Sequence, residues 1–247
     1  MLITSVDNDK IKKYVALKIK KNRSIEKLFL VEGMHLCIEA QKAGILEDIL
    51  LLKNNELEFN YDKEITYVTE NVMKKLSSLT NIPNVIGVCK LIENCEIKGD
   101  RLLLLDDISD PGNLGTIIRS AKAFGINTII LSENSVDIYN DKVLRSTQGM
   151  LFHMNILYGD LSKVIIDLKQ KGYHILGTDV NSGSDVRLVK YSKLALVMGN
   201  EGKGVSEKVK KLVDDNLYIK MNKDCESLNV AVATSILLYE LDRSTYE

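Results

Sequence analysis

The residues best suited to chemistry in this chain gather in two loops near its C-terminal end. The first is Gly199-Asn200-Glu201-Gly202-Lys203-Gly204, which follows the apolar run Leu194 to Met198. The second follows the apolar run Leu217 to Met221 and leads through a polar stretch to Ser227-Leu228-Asn229. Three glycines in six residues after a buried strand suit a backbone that closely approaches a ligand. The loop is not a GxxxxGK[ST] phosphate loop, because Val205 stands where Ser or Thr belongs, and it is not GxGxxG. Ligands of open α/β sheets sit just beyond the carboxyl ends of strands. Both loops therefore point to a small-molecule site.

Other candidates carry two readings each. Arg119 lies on the helix that follows Asn113, near the edge of its apolar face. Spacing alone leaves it as a surface cation or as a two-pronged phosphate clamp. Ser227 reads as the cap of the last helix, with Asn229 in its first turn, or as part of the site. Asp106-Asp107 is an acid pair or turn chemistry. Between Lys10 and Lys27 stand eight basic residues and one acid, Glu26. That run is a solvated helix face or a phosphate-contacting one.

These residues need elements to hold them. In the first part, Lys10 to Lys20 has the spacing of a helix, and Phe29-Leu30-Val31 that of a strand entering Glu32-Gly33. A helix over Met34 to Ala43 is closed by Gly44, and strands follow at Leu46 to Leu52, Ile65 to Val68 and Val85 to Lys90, with a short helix over Asn71 to Ser78. The boundaries expected are a small α/β domain over 1–92, a polar linker over 93–100 and a larger domain over 101–247. In the larger domain, strands at Arg101 to Leu105, Thr128 to Leu131, Met154 to Tyr158, Tyr173 to Thr178, Leu194 to Met198 and Leu217 to Met221 alternate with helices. The first helix follows Asp110-Pro111-Gly112-Asn113, with Asn113 as its cap, and ends at Gly125. Ser206 to Leu212 and Leu228 to Leu241 are helical. This alternation implies an α/β fold with a largely parallel, doubly covered sheet.

Composition removes several classes. With 247 residues and 45% hydrophobic side chains, the chain has material for a sizeable core. No apolar run approaches the roughly 20 residues of a membrane span. The first residues lack a signal-peptide pattern, so a cytoplasmic protein is expected. Net charge is −1, against indiscriminate coating of nucleic acid. The four cysteines show no CxxC spacing and the three histidines form no helical pair, so no metal is expected.

Three segments together resemble the SpoU, or TrmH, family of RNA 2′-O-ribose methyltransferases. Asn113-Leu114-Gly115-Thr116-Ile117-Ile118-Arg119 is similar to its first motif, and Met198-Gly199-Asn200-Glu201-Gly202-Lys203-Gly204 to its second. Ile219-Lys220-Met221 and Glu226 to Ala233 resemble its third. Residues 1–92 are similar to the family's L30e-like substrate-binding domain, on the weaker match of Phe29 to Gly33. The resemblance implies an S-adenosylmethionine-dependent enzyme with a deep C-terminal trefoil knot. It implies cofactor contacts at Gly199, Ile219, Leu228 and Thr178, a catalytic Arg119, and Asn113, Glu201, Ser227 and Asn229 around it. It also implies a homodimer through the knotted domains, with Arg119 serving the partner's site. Lys220 and Lys223 stand where the family commonly has Pro and Gly, which makes that loop more basic.

The function implied is ribose methylation of RNA, with ribosomal RNA favoured over tRNA by the preceding L30e-like domain. A non-catalytic RNA-binding or ribosome-assembly protein on the same fold is the alternative from another class. A nucleotide-dependent oxidoreductase lacks its glycine fingerprint.

Overall fold

A computed structural model describes all residues except Asn94, Asn181, Lys223 and 244–247. The chain divides into two compact units, Met1–Glu93 with Gln148–His153, and Asn94–Thr147 with Met154–Glu247.

The first unit holds β1 (Leu2–Ile3), α1 (Asp9–Ala16), α2 (Lys20–Glu26), β2 (Leu28–Glu32), α3 (Met34–Lys42), β3 (Leu46–Leu52), β4 (Thr66–Val68), α4 (Glu70–Leu76) and β5 (Val85–Lys90). Its sheet runs β1-β4-β3-β5-β2, with β5 antiparallel to both neighbours. Ile11, Tyr14 and Leu17 pack with Leu50, Val72, Met73 and Ile86 in its core. The single helix expected over Lys10 to Lys20 is two. Asn8 caps α1 by accepting from the Lys10 amide at 3.0 Å, and the chain breaks before α2, which ends at Lys27 in a left-handed conformation, φ 56°. The excursion Gln148–His153 has no counterpart in the sequence reading. Within this unit its 3₁₀ turn, Met150–His153, sets His153 Nε2 3.0 Å from Glu39 and Phe152 against Phe29.

The break changes the reading of the basic run. Lys10 pairs with Asp48 at 2.7 Å and Lys13 with Glu26 at 2.8 Å, while Lys18 donates to the carbonyls of Lys75 and Ser77. Arg23 is buried and donates to the carbonyls of Leu17 and Lys18. Half of the run thus holds the fold together. Lys20, Lys21 and Lys27 are exposed and have no ion pair among the described residues. Replacing these three with alanine is expected to flatten the slope of log RNA affinity against log salt by roughly 0.7 for each phosphate no longer neutralised. An unchanged slope in a filter-binding titration would reduce them to a solvated face.

The second unit holds β6 (Arg101–Leu105), α5 (Pro111–Ala123), β7 (Thr128–Leu131), α6 (Asp141–Ser146), β8 (Asn155–Tyr158), α7 (Leu161–Gln170), β9 (His174–Thr178), β10 (Ser184–Asp185), β11 (Leu194–Met198), α8 (Glu207–Lys210), β12 (Asp215–Tyr218) and α9 (Val230–Arg243). Its seven strands run β10-β12-β9-β11-β6-β7-β8, all parallel. This is the mostly parallel α/β architecture the alternation implied. Leu102 and Leu104 pack with Ile165 and Leu168 of α7 and Val209 of α8. Leu103 and Leu105, equally buried, point by the pleat to the opposite face. A strand covered on both faces has to be continuously apolar, which is why β6 reads Leu-Leu-Leu-Leu.

Two of the boundaries that differ from expectation bear on the site. The cap of α5 is Asp110, not Asn113: its carboxylate accepts from the Asn113 amide at 2.8 Å, and Pro111 follows in the first helical position. Asp followed by Pro is the stronger start signal, because Pro lacks the amide that would be left unpaired there. The last strand ends at Tyr218 rather than Met221, since its ladder stops at Leu217↔Thr178 and Tyr218↔Asp185. Among the described residues, Ile219 to Met221 have no strand to pair with. No helix among the described residues is long and apolar enough to cross a membrane.

Candidate active site

The carboxyl ends of β9, β11 and β12 open onto a cavity of about 360 Å³. Thr178, Gly199, Ile219 and Leu228, the four cofactor contacts implied by the resemblance, all line it, as do Glu201 and Ser227. The apolar residues beyond β12 thus have a use other than a strand: Ile219 and Met221 become wall. The Thr178 hydroxyl donates to the Val197 carbonyl at 3.1 Å and ties the ends of β9 and β11 together. Asp179 and Val180 also line the cavity, and the sequence reading missed them. Lys220 is exposed beside it, and Lys223 lies outside the described residues.

The glycine loop is a closed turn. Asn200 and Gly204 exchange backbone hydrogen bonds of 3.0 and 2.9 Å. The Asn200 side chain accepts from the amides of Gly202 and Lys203 and donates to the Asp107 carbonyl at 2.8 Å. A Cβ on Gly199 would fall on the carbonyl carbon of Gly204 and the amide nitrogen of Val205. The close approach that this glycine permits is therefore to its own loop, where the sequence reading expected a ligand. Asp107 adopts φ 57° at the end of β6 and is held by Ser132, whose hydroxyl donates to its carboxylate at 2.8 Å.

A polar chain links the three motif segments. Asn229, not Ser227, caps α9: its Oδ1 accepts from the amides of Ala231 and Val232 at 2.9 and 3.3 Å. Its Nδ2 then donates to Asn113 Oδ1 at 2.9 Å, and Asn113 Nδ2 donates to Glu201 Oε1 at 3.1 Å. The helix amides permit no other orientation, so each side-chain amide is fixed in turn and the chain must end on an acceptor. Glu201 supplies it, and also takes the Asp110 amide at 3.2 Å and the Ser109 hydroxyl at 3.0 Å. Ser109 and Asp110 were not singled out in the sequence. The signal for Asp110 was its place before Pro111; Ser109 had none.

Burial pushes the Glu201 carboxyl upward, but the donors from Asn113, its own backbone, Asp110 and Ser109 outweigh it and leave it below its ordinary 4.5. A group lowered on folding stabilises fully above the unfolded value, and that contribution is lost as pH falls through the folded one. Glu201→Gln is therefore expected to lower the melting temperature at neutral pH and to make its decline shallower between about pH 5 and pH 3. A thermal melt series parallel to wild type across that range would contradict this.

Arg119 does not line the cavity. It is exposed on α5 and has no hydrogen bond or ion pair among the described residues. The structure thus brings together eight of the nine candidates through the cavity or the polar chain and leaves Arg119 apart. The buried thiols take no part: burial pushes Cys37 up to about 12 and Cys89 well above the ordinary value. Among the described residues no cluster of His, Cys, Asp or Glu could hold a metal ion.

Known proteins share this organisation. The model of the SpoU rRNA Methylase family matches residues 100–239, and that of the MRM3-like substrate binding domain matches residues 8–87. The chain is 35% identical over 243 residues to the 23S rRNA (guanosine(2553)-2'-O)-methyltransferase RlmP of Bacillus subtilis, covering 97% of this chain and 98% of that one. The AdoMet-bound rRNA methyltransferase from Sinorhizobium meliloti superposes with a TM-score of 0.86 at 28% identity, over 98% of this chain and 97% of that one. The SpoU methyltransferase AviRb from Streptomyces viridochromogenes, in complex with AdoMet, gives 0.85 at 25% identity over 97% and 99%. The family match runs from β6 into α9 and so spans the cavity and the whole polar chain; this protein belongs to the SpoU rRNA methylase family.

Proposed function

We propose that this chain is an S-adenosylmethionine-dependent RNA 2′-O-ribose methyltransferase that acts on ribosomal RNA in the cytoplasm. The observation that carries the reading is one cavity lined by the second and third motif segments, with the first bonded to its rim through Asn113 and Glu201. The cavity is within the usual range for small ligands, roughly 300–1,000 Å³. Its walls mix the apolar side chains of Ile219, Leu228 and Leu237 with the polar ends of β9 and β11, which suits a cofactor with an adenine ring and a charged tail. Gly199, Ile219, Leu228 and Thr178 are the residues that would hold it. When bound, it supplies a methyl group on an electrophilic sulfonium.

The protein's own residues do the rest. Arg119 grips the phosphate beside the target ribose with its fork of donors, and that positive charge favours loss of the hydroxyl proton. Glu201, saturated by donors and kept ionised, positions the loop over Ser109 to Asn113. Asn113 and Asn229 carry that constraint from the start of α9, and Ser227, whose hydroxyl has no hydrogen bond among the described residues, lines the cavity.

The enzyme acts as a homodimer through its second unit. On α9, Val232, Ile236 and Tyr239 are 47, 37 and 51% exposed at helical spacing, an apolar stripe that supports a second copy packing there. Ser120, next to Arg119, has its hydroxyl 2.7 Å from Ser235 on the same helix. This proximity supports delivery of Arg119 across the interface. Residues 1–92 serve as the RNA-binding domain, 93–100 as linker and 101–247 as the knotted methyltransferase domain. Calorimetry with S-adenosylmethionine, followed by radiolabel transfer to separated ribosomal RNA and tRNA, tests the reading. Cofactor binding without transfer to either RNA would leave a non-catalytic binder; transfer to tRNA alone would replace the substrate.

A further inference from the structure

Far from the cavity, where the strands of the second unit begin, a group of aromatic rings gathers. Tyr191, from the loop before β11, lies flat on His174 of β9, with ring centroids 3.6 Å apart and planes 13° from parallel. His174 is held in turn by Asp215, 2.7 Å from its Nε2. The next ring, Tyr173, donates its hydroxyl to the Gly99 carbonyl at 2.5 Å and carries the Lys193 ammonium 4.5 Å from its centroid. An open recess of about 390 Å³ lies among these rings, Lys190 and Lys193.

Several acids around the recess are held by partners, while the exposed Asp100 beside Tyr173 has no ion pair among the described residues. Asp214 is bonded to Lys169 at 2.6 Å, Asp215 to His174, and Asp167 to Lys171 at 2.7 Å. Lys190 is exposed and has no ion pair among the described residues. What faces outward is therefore an aromatic ring, 46% exposed and held flat, with the exposed Lys190 beside it, while the half-buried Lys193 lies over Tyr173 and donates to the Lys171 carbonyl at 2.8 Å. A ring already ordered by its neighbour loses little freedom when a second π-face lands on it. An acidic peptide would use Lys190 and leave the ring idle; an apolar segment would do the reverse. An unpaired nucleobase with its phosphate uses both.

We propose that this recess is a second RNA contact, in which one unpaired base stacks on the outer face of Tyr191 and Lys190 faces the adjoining phosphate. The proposal rests on the RNA methyltransferase reading and extends the bound RNA beyond the target nucleotide. The length of β9 separates the two sites by roughly 13 Å or more, from four rises of a strand.

The test compares the full-length protein with Tyr191→Ala, Tyr191→Phe and Lys190→Ala, using fluorescence anisotropy with a labelled single-stranded oligoadenylate. Tyr191→Ala is expected to bind about tenfold more weakly, within the range of one lost base stack, while Tyr191→Phe stays within about twofold of wild type. Lys190→Ala, which lies outside the stack and so leaves it intact, should flatten the salt slope by about 0.7. S-adenosylmethionine affinity should be the same in all four proteins. Wild-type RNA affinity in Tyr191→Ala together with a wild-type slope in Lys190→Ala overturns the proposal. Failure of the underlying reading shows differently, as a wild-type protein that neither binds the cofactor nor transfers a methyl group.

Discussion

Arg119→Ala is expected to lower methyl transfer at least about a hundredfold, or roughly 2.7 kcal/mol of transition-state stabilisation. An exposed guanidinium with no partner among the described residues has its donors available for an incoming phosphate. Its removal leaves the protein's own interactions as they were, so folding should be unaffected. Cofactor affinity should also be nearly unchanged, because none of the cavity wall comes from α5. Arg119→Lys is expected to rescue poorly, since the charge remains but the planar fork is lost. The dimer reading adds a sharper outcome. Mixing inactive Arg119→Ala with an inactive cofactor-loop variant should produce heterodimers with one intact site and return activity approaching half of wild type per heterodimer. Demonstrated subunit exchange without returned activity would place Arg119 in its own subunit's site.

Gly199→Ala is expected to abolish measurable cofactor binding, a loss of more than about a hundredfold or 2.7 kcal/mol. One methyl group is enough because it meets backbone. The atoms it would strike, in Gly204 and Val205, are locked by the Asn200–Gly204 pair and by the burial of Val205, which is 4% exposed. Neither can swing aside as the tip of a side chain could. The loop must open, and Val205 and Val209 lose part of their packing in the core. Overpacking of this kind costs about 1–3 kcal/mol, and the melting temperature should fall by about 3–10 °C. Gly202→Ala is the control from the same loop: the nearest atom to its Cβ would be Asn200 Oδ1, at 3.8 Å, so binding and melting should stay near wild type. Calorimetry showing wild-type affinity in Gly199→Ala would sink the assignment of this loop to the cofactor.

Periodicity carries local information, and much of the fold is local. The strands Leu46–Leu52, Val85–Lys90, Arg101–Leu105, Thr128–Leu131 and Leu194–Met198 stand where the apolar runs predicted them, because a buried strand has no polar face to blur its ends. The alternation of strand and helix sufficed for the parallel sheet, and the three motif segments for the family. Errors arose wherever an end is decided by a partner far along the chain. Leu217 to Met221 reads as one strand, yet Tyr218 is its last residue because the neighbouring strands stop there. The basic run reads as one face, yet its pairing with Asp48 and with carbonyls of 75 and 77 is set by residues thirty to sixty positions away.

The same division runs through the site. Glycine at 199 was visible as a need for space, but only the folded loop shows that its own backbone fills the space. Asn113, Glu201 and Asn229 were legible as motif residues. Their connection was not, because a hydrogen bond between residues 113 and 229 leaves no trace in the spacing of either. Residue type and order thus determined which chemistry this chain is equipped for. The tertiary structure alone decided which donors meet which acceptors, since that depends on where the sheet brings the strand ends together.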